Sequence, residues 1–159
     1  MPLDWENIWE NISSKFLPFN DRAELFLFVN DLVANKEKLM AYNIGHLNST
    51  ICGKCGLNDT NEHRLKLCPK AKMVWDWCTN MVRQRMKLNI SDLEDILQYV
   101  IPATAKKRKA ALWLTAKAIS FNLRGLEPSL FVFKKEIREI RWNKRKMFNA
   151  EFGNSLNIC

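Results

Sequence analysis

The chain has 159 residues, of which 47% are apolar and 26% charged, and its formal net charge is +8. This length suits one domain, or one domain with a C-terminal extension, and it is sufficient for a hydrophobic core. The absence of any apolar run of about eighteen residues argues against a membrane span, and the low numbers of glycine and proline, five each, argue for helices.

The positive charge is confined to the last third of the chain. Residues 1–102 carry 12 Lys/Arg and 13 Asp/Glu, whereas residues 103–159 carry 13 Lys/Arg and 4 Asp/Glu. A basic region at one end of a protein is typical of a nucleic-acid partner. No paired-carboxylate motif and no glycine-rich phosphate loop is recognisable, so we predict a protein that is not an enzyme.

Helical spacing of apolar residues begins near the N-terminus. Asp4 is expected to cap a helix over residues 5–12, whose apolar residues Trp5, Ile8, Trp9 and Ile12 we assign to the core. A second helix is expected over 21–36, capped by Asn20 or Asp21. Its expected buried stripe is Leu25, Phe28, Val29, Leu32 and Val33. The following segment is expected to stop at Gly45.

A metal-ligand pattern comes next, in CGKCGLNDTNEHRLKLC. Cys52, Cys55, His63 and Cys68 have the spacing Cys-x2-Cys-x7-His-x4-Cys. Three thiolates and one imidazole form a closed tetrahedral set for one structural Zn²⁺. A short hairpin is possible at the Cys-x2-Cys turn, and Leu65 and Leu67 are expected to pack beneath the site.

Two other interpretations of these cysteines stay open. A disulfide cluster fits poorly, because the cysteine count is odd and the acidic N-terminus does not resemble a secretory signal. We therefore expect an intracellular protein, nuclear or cytoplasmic. A Cys/His nucleophilic pair is the third and weakest interpretation. Cys78 is expected to be a buried small apolar residue, and nothing indicates a role for Cys159.

Further helices are predicted after the metal motif. Pro69 opens one that runs to about residue 88, with a buried face of Val74, Trp75, Cys78, Met81 and Val82. A Ser91-x-x-Glu94 capping box is expected to start a helix over 91–100. Another helix spans 104–125 and stops at Gly125, and a last one opens near Pro128 and spans 129–152.

The last predicted helix is the main candidate for phosphate contacts. Basic residues recur on overlapping faces of it: Lys134, Lys135, Arg138, Arg141, Lys144 and Arg145. Lys54 and Arg64 belong to a second basic patch beside the metal motif. Such residues neutralise phosphates, although either group can equally form a solvated face. The run KKRK, residues 106–109, has the same two interpretations and also that of a nuclear-import signal.

The region from residue 5 to 78 resembles the zinc-binding domain that follows the polymerase in the reverse transcriptases of LINE-type (non-LTR) retrotransposons. The resemblance rests on the order of its parts: Gly45, Ser49 and Thr50, CGKCG, NDTNEH, HRLKLC, Pro69 and Val74-Trp75. It implies a zinc-binding, nucleic-acid-binding module. No Tyr/Phe-x-Asp-Asp motif occurs, so polymerase activity is not implied, and we expect a free-standing domain, either domesticated or a remnant of an element.

The sequence thus predicts a mainly α protein, a compact helical domain of about six helices with one Cys-Cys-His-Cys zinc loop. We expect a zinc-binding domain over residues 1–90 and a helical extension over 91–159 packed on it. The predicted partner is RNA, single-stranded DNA or duplex DNA. The alternatives are a protein-interaction module in nuclear regulation and a non-functional fragment of a reverse transcriptase.

Overall fold

The computed structural model describes residues 2–124 and 129–143, with side chains up to Glu139, and this part of the chain is mainly helical, as predicted. Two π-helical segments, His63–Leu67 and Met81–Arg85, accompany the α-helices. The α-helices are α1 (Trp5–Ile12), α2 (Phe19–Val29), α3 (Lys36–Ala41), α4 (Pro69–Asn80), α5 (Asp95–Gln98), α6 (Ala105–Arg124) and α7 (Leu130–Asn143). Extended structure in the described ranges is limited to one isolated antiparallel bridge, between Ile51 and Asn58.

The helix α6 lies at the centre of the fold. Nearly every residue from Ala110 to Leu123 is buried, and α2, α4 and α5 all pack against it. The buried apolar residues form one cluster that runs from Ile12 to Ile137. This core therefore includes residues on both sides of position 90, and the predicted domain boundary there stays a prediction.

The helix α1 has the predicted bounds and cap, but its tryptophans are not in the core. Asp4 accepts a hydrogen bond from the backbone N–H of Asn7 at 3.0 Å, and Ile8 is buried as expected. Trp5 and Trp9, however, are exposed. The side of α1 that faces α5 presents Asn11, whose amide donates to the carbonyl of Leu97 at 3.0 Å. This contact turns the tryptophan side of α1 away from the core.

The helix α2 is shorter than predicted. It begins at Phe19 with Pro18 as its N-cap, so the predicted caps at Asn20 or Asp21 are wrong. Asp21 is buried and pairs with Lys117 of α6 at 2.6 Å. The helix ends at Val29.

A left-handed residue explains the end of α2 and corrects its predicted stripe. Asp31 has φ = 55°, a conformation that a helix cannot continue through. Leu32 consequently points to solvent, and Val33 is buried outside the helix. The next helix, α3, also ends early, at Ala41 rather than Gly45.

The helices that follow the metal motif match their predictions more closely. The helix α4 begins at Pro69, and all five residues of its predicted face are buried, including Met81 and Val82 in the second π segment. Burial raises the pKa of the Cys78 thiol well above its usual value, in keeping with an apolar role for that residue. The predicted stop of α6 at Gly125 and the predicted continuation of α7 to residue 152 lie outside the described residues.

The predicted capping box at Ser91 is wrong. The helix α5 covers only Asp95–Gln98. The carboxylate of Asp95 accepts hydrogen bonds from the backbone N–H of Ser91 at 2.8 Å and of Asp92 at 3.2 Å. An aspartate four residues further along the chain therefore fills the place expected for Ser91 and Glu94.

Asn122 joins the end of α6 to the metal region. Its side-chain amide donates to the carbonyl of Leu65 at 2.7 Å and to that of Ala71 at 3.2 Å. Both hydrogen bonds are buried, and they fix the first π segment and the start of α4 on the core.

We expect Asn122→Ala to lower the free energy of unfolding by about 1 to 3 kcal/mol, because it leaves buried carbonyl groups without a donor. Denaturant unfolding of the metal-loaded protein measures the change. Thr115→Val is the matched control, since Thr115 is also buried on α6 but bonds only the Ala111 carbonyl of its own helix. Equal losses in the two variants would contradict the bridging role of Asn122.

Candidate metal centre

The first two ligands lie in a hairpin-like loop that has little core of its own. No residue from 42 to 58 is buried. The loop is closed by backbone hydrogen bonds from Cys52 to Leu57 at 2.7 Å, from Asp59 to Thr50 at 2.7 Å and from Gly56 to Cys52 at 3.0 Å. Gly56 has φ = +76°, which glycine adopts without the cost that a side chain would impose. The possible short hairpin at this turn is thus present as the single Ile51–Asn58 bridge.

The other two ligands are brought together by a π-helical turn. In an α-helix, side chains five residues apart differ by about 140° in direction. Here the backbone N–H of Cys68 donates to the carbonyl of His63 at 2.9 Å, which closes an i to i+5 turn. This wider turn places both side chains on one side, and Cys68 then serves as the N-cap residue of α4.

The four predicted ligands converge on one point. The sulfur atoms of Cys52, Cys55 and Cys68 and a ring nitrogen of His63 all lie within 4.8 Å of one another. The Cys55 sulfur is 3.0 Å from Nε2 of His63. Tetrahedral Zn²⁺ would set its ligand atoms about 3.5 to 3.8 Å apart, so the residues fit one metal ion of this kind.

Asp59 orients the histidine from behind. One of its carboxylate oxygens is 3.5 Å from Nδ1 of His63, which is buried and has no hydrogen-bond partner. The same carboxylate accepts two hydrogen bonds from Arg64, at 2.9 and 2.8 Å, and one from the backbone N–H of Lys36 at 2.9 Å. A carboxylate on the far ring nitrogen is the usual support of a metal-binding histidine, because it fixes the ring and the tautomer.

The pKa of Asp59 reflects this environment. Burial raises it, but the hydrogen bonds from Arg64 and from the Lys36 backbone lower it further, and the net pKa is below its usual value. The carboxylate therefore stays ionised beside His63. Asp59 also ties the metal loop to the start of α3, which holds Lys36.

The thiols do not share the cluster easily without a cation. Burial, followed by the neighbouring sulfurs of Cys55 and Cys52, raises the pKa of Cys68 to about 11. Burial also raises the pKa of Cys52, but the backbone N–H groups of Lys54 and Cys55 lower it more, so its net pKa falls. A divalent cation would offset the repulsion among three thiolates and favour their ionisation together.

The apolar support of the site is half as predicted. Leu65 is fully buried under the π turn, whereas Leu67 is exposed, so the prediction for Leu67 is wrong. The turn is π-helical, and it points Leu65 and Leu67 in different directions.

The basic patch predicted beside the motif is largely paired with carboxylates. Arg64 is bonded to Asp59, as described above, and Lys66 lies 2.9 Å from Glu94. Within the described ranges Lys54 has no ion-pair partner, and its backbone N–H donates to the Cys52 sulfur at 3.4 Å. The predicted patch therefore keeps only part of its charge.

The predicted basic residues of α7 are described only in part. Lys135 and Arg138 are exposed. The ammonium group of Lys134 lies over the ring of Trp77, 5.2 Å from its centroid. Lys144 and Arg145 fall outside the described residues, as does the side chain of Arg141, so their predicted role stays a prediction.

A cleft of about 280 Å³ lies beside the cluster. Four basic side chains line it, and Asp59 is its single acidic one: the basic residues are Lys36, Lys54, Arg64 and Arg124. Sequence reasoning missed Lys36 and Arg124, which are distant from the motif along the chain. It also treated Asp59 only as a turn former and a counter-charge, although its spacing of four from His63 could have indicated a supporting carboxylate. No sequence signal points to Asn122.

Comparisons with known proteins add no assignment: the chain matches no family model, no curated protein and no solved structure. The resemblance to the LINE-type zinc-binding domain consequently stays a prediction. Across the part of the chain that the structure describes, no helix has both the length and the apolar character needed to cross a membrane.

We expect the protein to bind one equivalent of Zn²⁺ or Co²⁺, and Cys55→Ser to abolish tight binding, because three ligands hold the ion less well than four. Metal analysis after dialysis and the thiolate-to-cobalt absorption band measure this. Hydrogen exchange should accelerate over residues 45–80 in the variant. Cys78→Ala, which removes a thiol outside the cluster, should retain the metal, and loss of the metal in both variants would contradict the assignment.

Asp59→Asn should weaken metal binding roughly 10- to 100-fold, since the His63 ring loses its ionised partner. Competition with a chelator of known affinity gives the constant. Glu62→Gln is the control, because Glu62 is exposed and next to the same histidine, and its affinity should be unchanged. An unaltered constant in Asp59→Asn would remove the supporting role of this carboxylate.

Proposed function

We propose that this chain is a zinc-binding module that binds nucleic acid through its phosphates and catalyses no reaction. Its Cys52, Cys55, His63 and Cys68 would bind one structural Zn²⁺ as three thiolates and a neutral imidazole. The set uses all four positions of a tetrahedral ion and leaves none for a substrate. A domain of the LINE-type reverse transcriptase kind is the origin that we propose for it.

The observation that carries the proposal is the basic cleft beside the metal loop. Lys54 comes from the loop, Lys36 from the start of α3 and Arg124 from the end of α6. These three elements are separated along the chain, and only the tertiary structure brings their cations together. The single carboxylate in the cleft, Asp59, is already bonded to Arg64.

The charges in the cleft are available to a ligand to different extents. The ammonium group of Lys36 donates to the carbonyl of Ile51 at 2.9 Å, which leaves its charge uncompensated. Arg124 lies 3.6 Å from Glu136 of α7, and both side chains are about half exposed, so this pair is screened by water and easily exchanged. Lys54 has no counter-charge within the described ranges. Such cations attract an anionic backbone without reading its sequence.

The contact between Arg124 and Glu136 also places the cleft next to α7. The exposed Lys135 and Arg138 of that helix would extend the phosphate-binding surface beyond the cleft. Binding along such a path favours a flexible strand of RNA or DNA, because a cleft of this size does not admit a duplex.

We expect labelled single-stranded RNA or DNA to bind the zinc-loaded protein, with an affinity that falls steeply as salt rises, by about 0.7 logarithmic units per phosphate contact per decade of salt. Fluorescence anisotropy at several salt concentrations measures this. The double variant Lys54→Ala/Arg124→Ala should bind more weakly and lower the salt slope by about one unit per lost contact.

The matched control is Lys15→Ala/Arg85→Ala, which removes the same residue types from exposed positions away from the cleft. Its affinity and salt slope should stay close to those of the parent protein. Equal effects of the two double variants would mean that net charge alone governs binding. An absence of binding at low salt, from folded and zinc-loaded protein, would overturn the proposal.

A further inference from the structure

An exposed aromatic surface lies on the opposite part of the sequence from the basic residues. We call it the aromatic face and define it by Trp5 and Trp9 of α1 and Phe19, Phe26 and Leu27 of α2. Trp5 and Phe19 are 50% and 73% exposed, and the others are between 37% and 47% exposed. The rings of Trp9 and Phe26 are in contact, with centroids 6.2 Å apart, so the two helices contribute to one continuous surface. Continuous exposed apolar surface marks interaction sites, unlike scattered apolar residues.

The charges around the aromatic face are acidic. Glu6 is exposed on α1, and Glu24 is partly exposed on α2. Neither carboxylate has an ion-pair partner among the described residues. The acidic groups of this region that do have one, Asp21 and Asp31, pair with Lys117 and Lys38. A partner for the aromatic face would therefore combine apolar side chains with positive charge.

The outer side of α7 has this complementary character. Phe131 is 71% exposed and Val132 is 43% exposed. Lys135 and Arg138 follow at intervals of four and three residues from Phe131, which places the three on one side of the helix. The opposite side of α7 is buried through Phe133 and Ile137. One helix thus joins an apolar patch to two exposed cations.

The two surfaces belong to different sides of one molecule. The helix α1 packs with α5 and α2 with α6, whereas α7 packs with α4 and meets α6 through Phe121 and Phe133, whose ring centroids are 5.2 Å apart. A contact between them consequently needs two copies of the chain.

We propose that the protein associates with itself, with the aromatic face of one copy covered by the outer side of α7 of a second copy. Charge complementarity sets the register: Glu6 and Glu24 of one copy face Lys135 and Arg138 of the other. The apolar residues of both surfaces supply the buried centre. A reciprocal arrangement gives a closed dimer, and a one-way arrangement gives a chain of copies.

The association is independent of the proposed nucleic-acid binding, since it requires neither the cleft nor a bound strand. It does use Lys135 and Arg138, so a strand bound along α7 would compete with it.

Sedimentation velocity of the metal-loaded protein over a wide concentration range tests the proposal. We expect mass to rise with concentration in the parent protein. Trp9→Ser and Phe26→Ser should each raise the dissociation constant more than about tenfold, as expected for residues central to an interface. Tyr42→Ser is the control, because Tyr42 is 72% exposed but lies outside both surfaces, and it should associate like the parent.

Charge reversal distinguishes this pairing from general stickiness. The variant Glu6→Lys/Glu24→Lys and the variant Lys135→Glu/Arg138→Glu should each be monomeric, because like charges then face one another. An equimolar mixture of the two should form a complex, since the reversed face of one matches the reversed α7 of the other. All four positions are at least partly exposed, so unchanged circular dichroism confirms folding.

A parent protein that stays monomeric up to its solubility limit would overturn the proposal. So would an association that survives both reversals, or a mixture that fails to recover it. Nucleic-acid binding measured on the same proteins is a separate result: loss of self-association with retained binding overturns this inference alone.

Discussion

Three sulfur atoms and one imidazole nitrogen occupy a space 4.8 Å across, and the order of the central region depends on how their charges are balanced. The loop over residues 42–58 buries no side chain, so hydrophobic burial contributes little to its position. Backbone hydrogen bonds shape the loop locally, but the ligand cluster is what joins it to the π turn and to α4. A cation at this point stabilises three thiolates that otherwise raise one another's pKa.

The rest of the fold supports this cluster from two directions. On one side, Asp59 links the histidine to Arg64 and to the start of α3. On the other, Asn122 of the central helix α6 binds the carbonyls of Leu65 and Ala71, on either side of the Cys68 ligand. Because these supports come from distant parts of the chain, the geometry of the cluster and the stability of the core are coupled. The basic cleft results from the same arrangement, since the elements that support the metal also bring Lys36 and Arg124 beside Lys54.

The two surfaces of the molecule then have distinct characters. The cleft and α7 are basic, and their cations come from the middle and the last third of the chain. The face of α1 and α2 is aromatic and acidic. This separation of charge is visible in the sequence as an uneven distribution, but its consequence for self-association follows only from the exposure of Trp5, Trp9 and Phe131.

The sequence by itself determined the helical class, the four ligands and most helix starts, because these depend on local rules. The Cys-x2-Cys and His-x4-Cys spacings restrict the possible ligand geometry, Asp4 caps α1, and Pro69 suits the first turn of α4. Tertiary structure decided what depends on neighbours distant along the chain. It turned the tryptophans of α1 outward, because Asn11 bonds to Leu97 on the inner side, and it ended α2 before the left-handed Asp31. It also produced a π turn where the spacing suggested a short helix, because only an i to i+5 turn brings His63 and Cys68 to the same side.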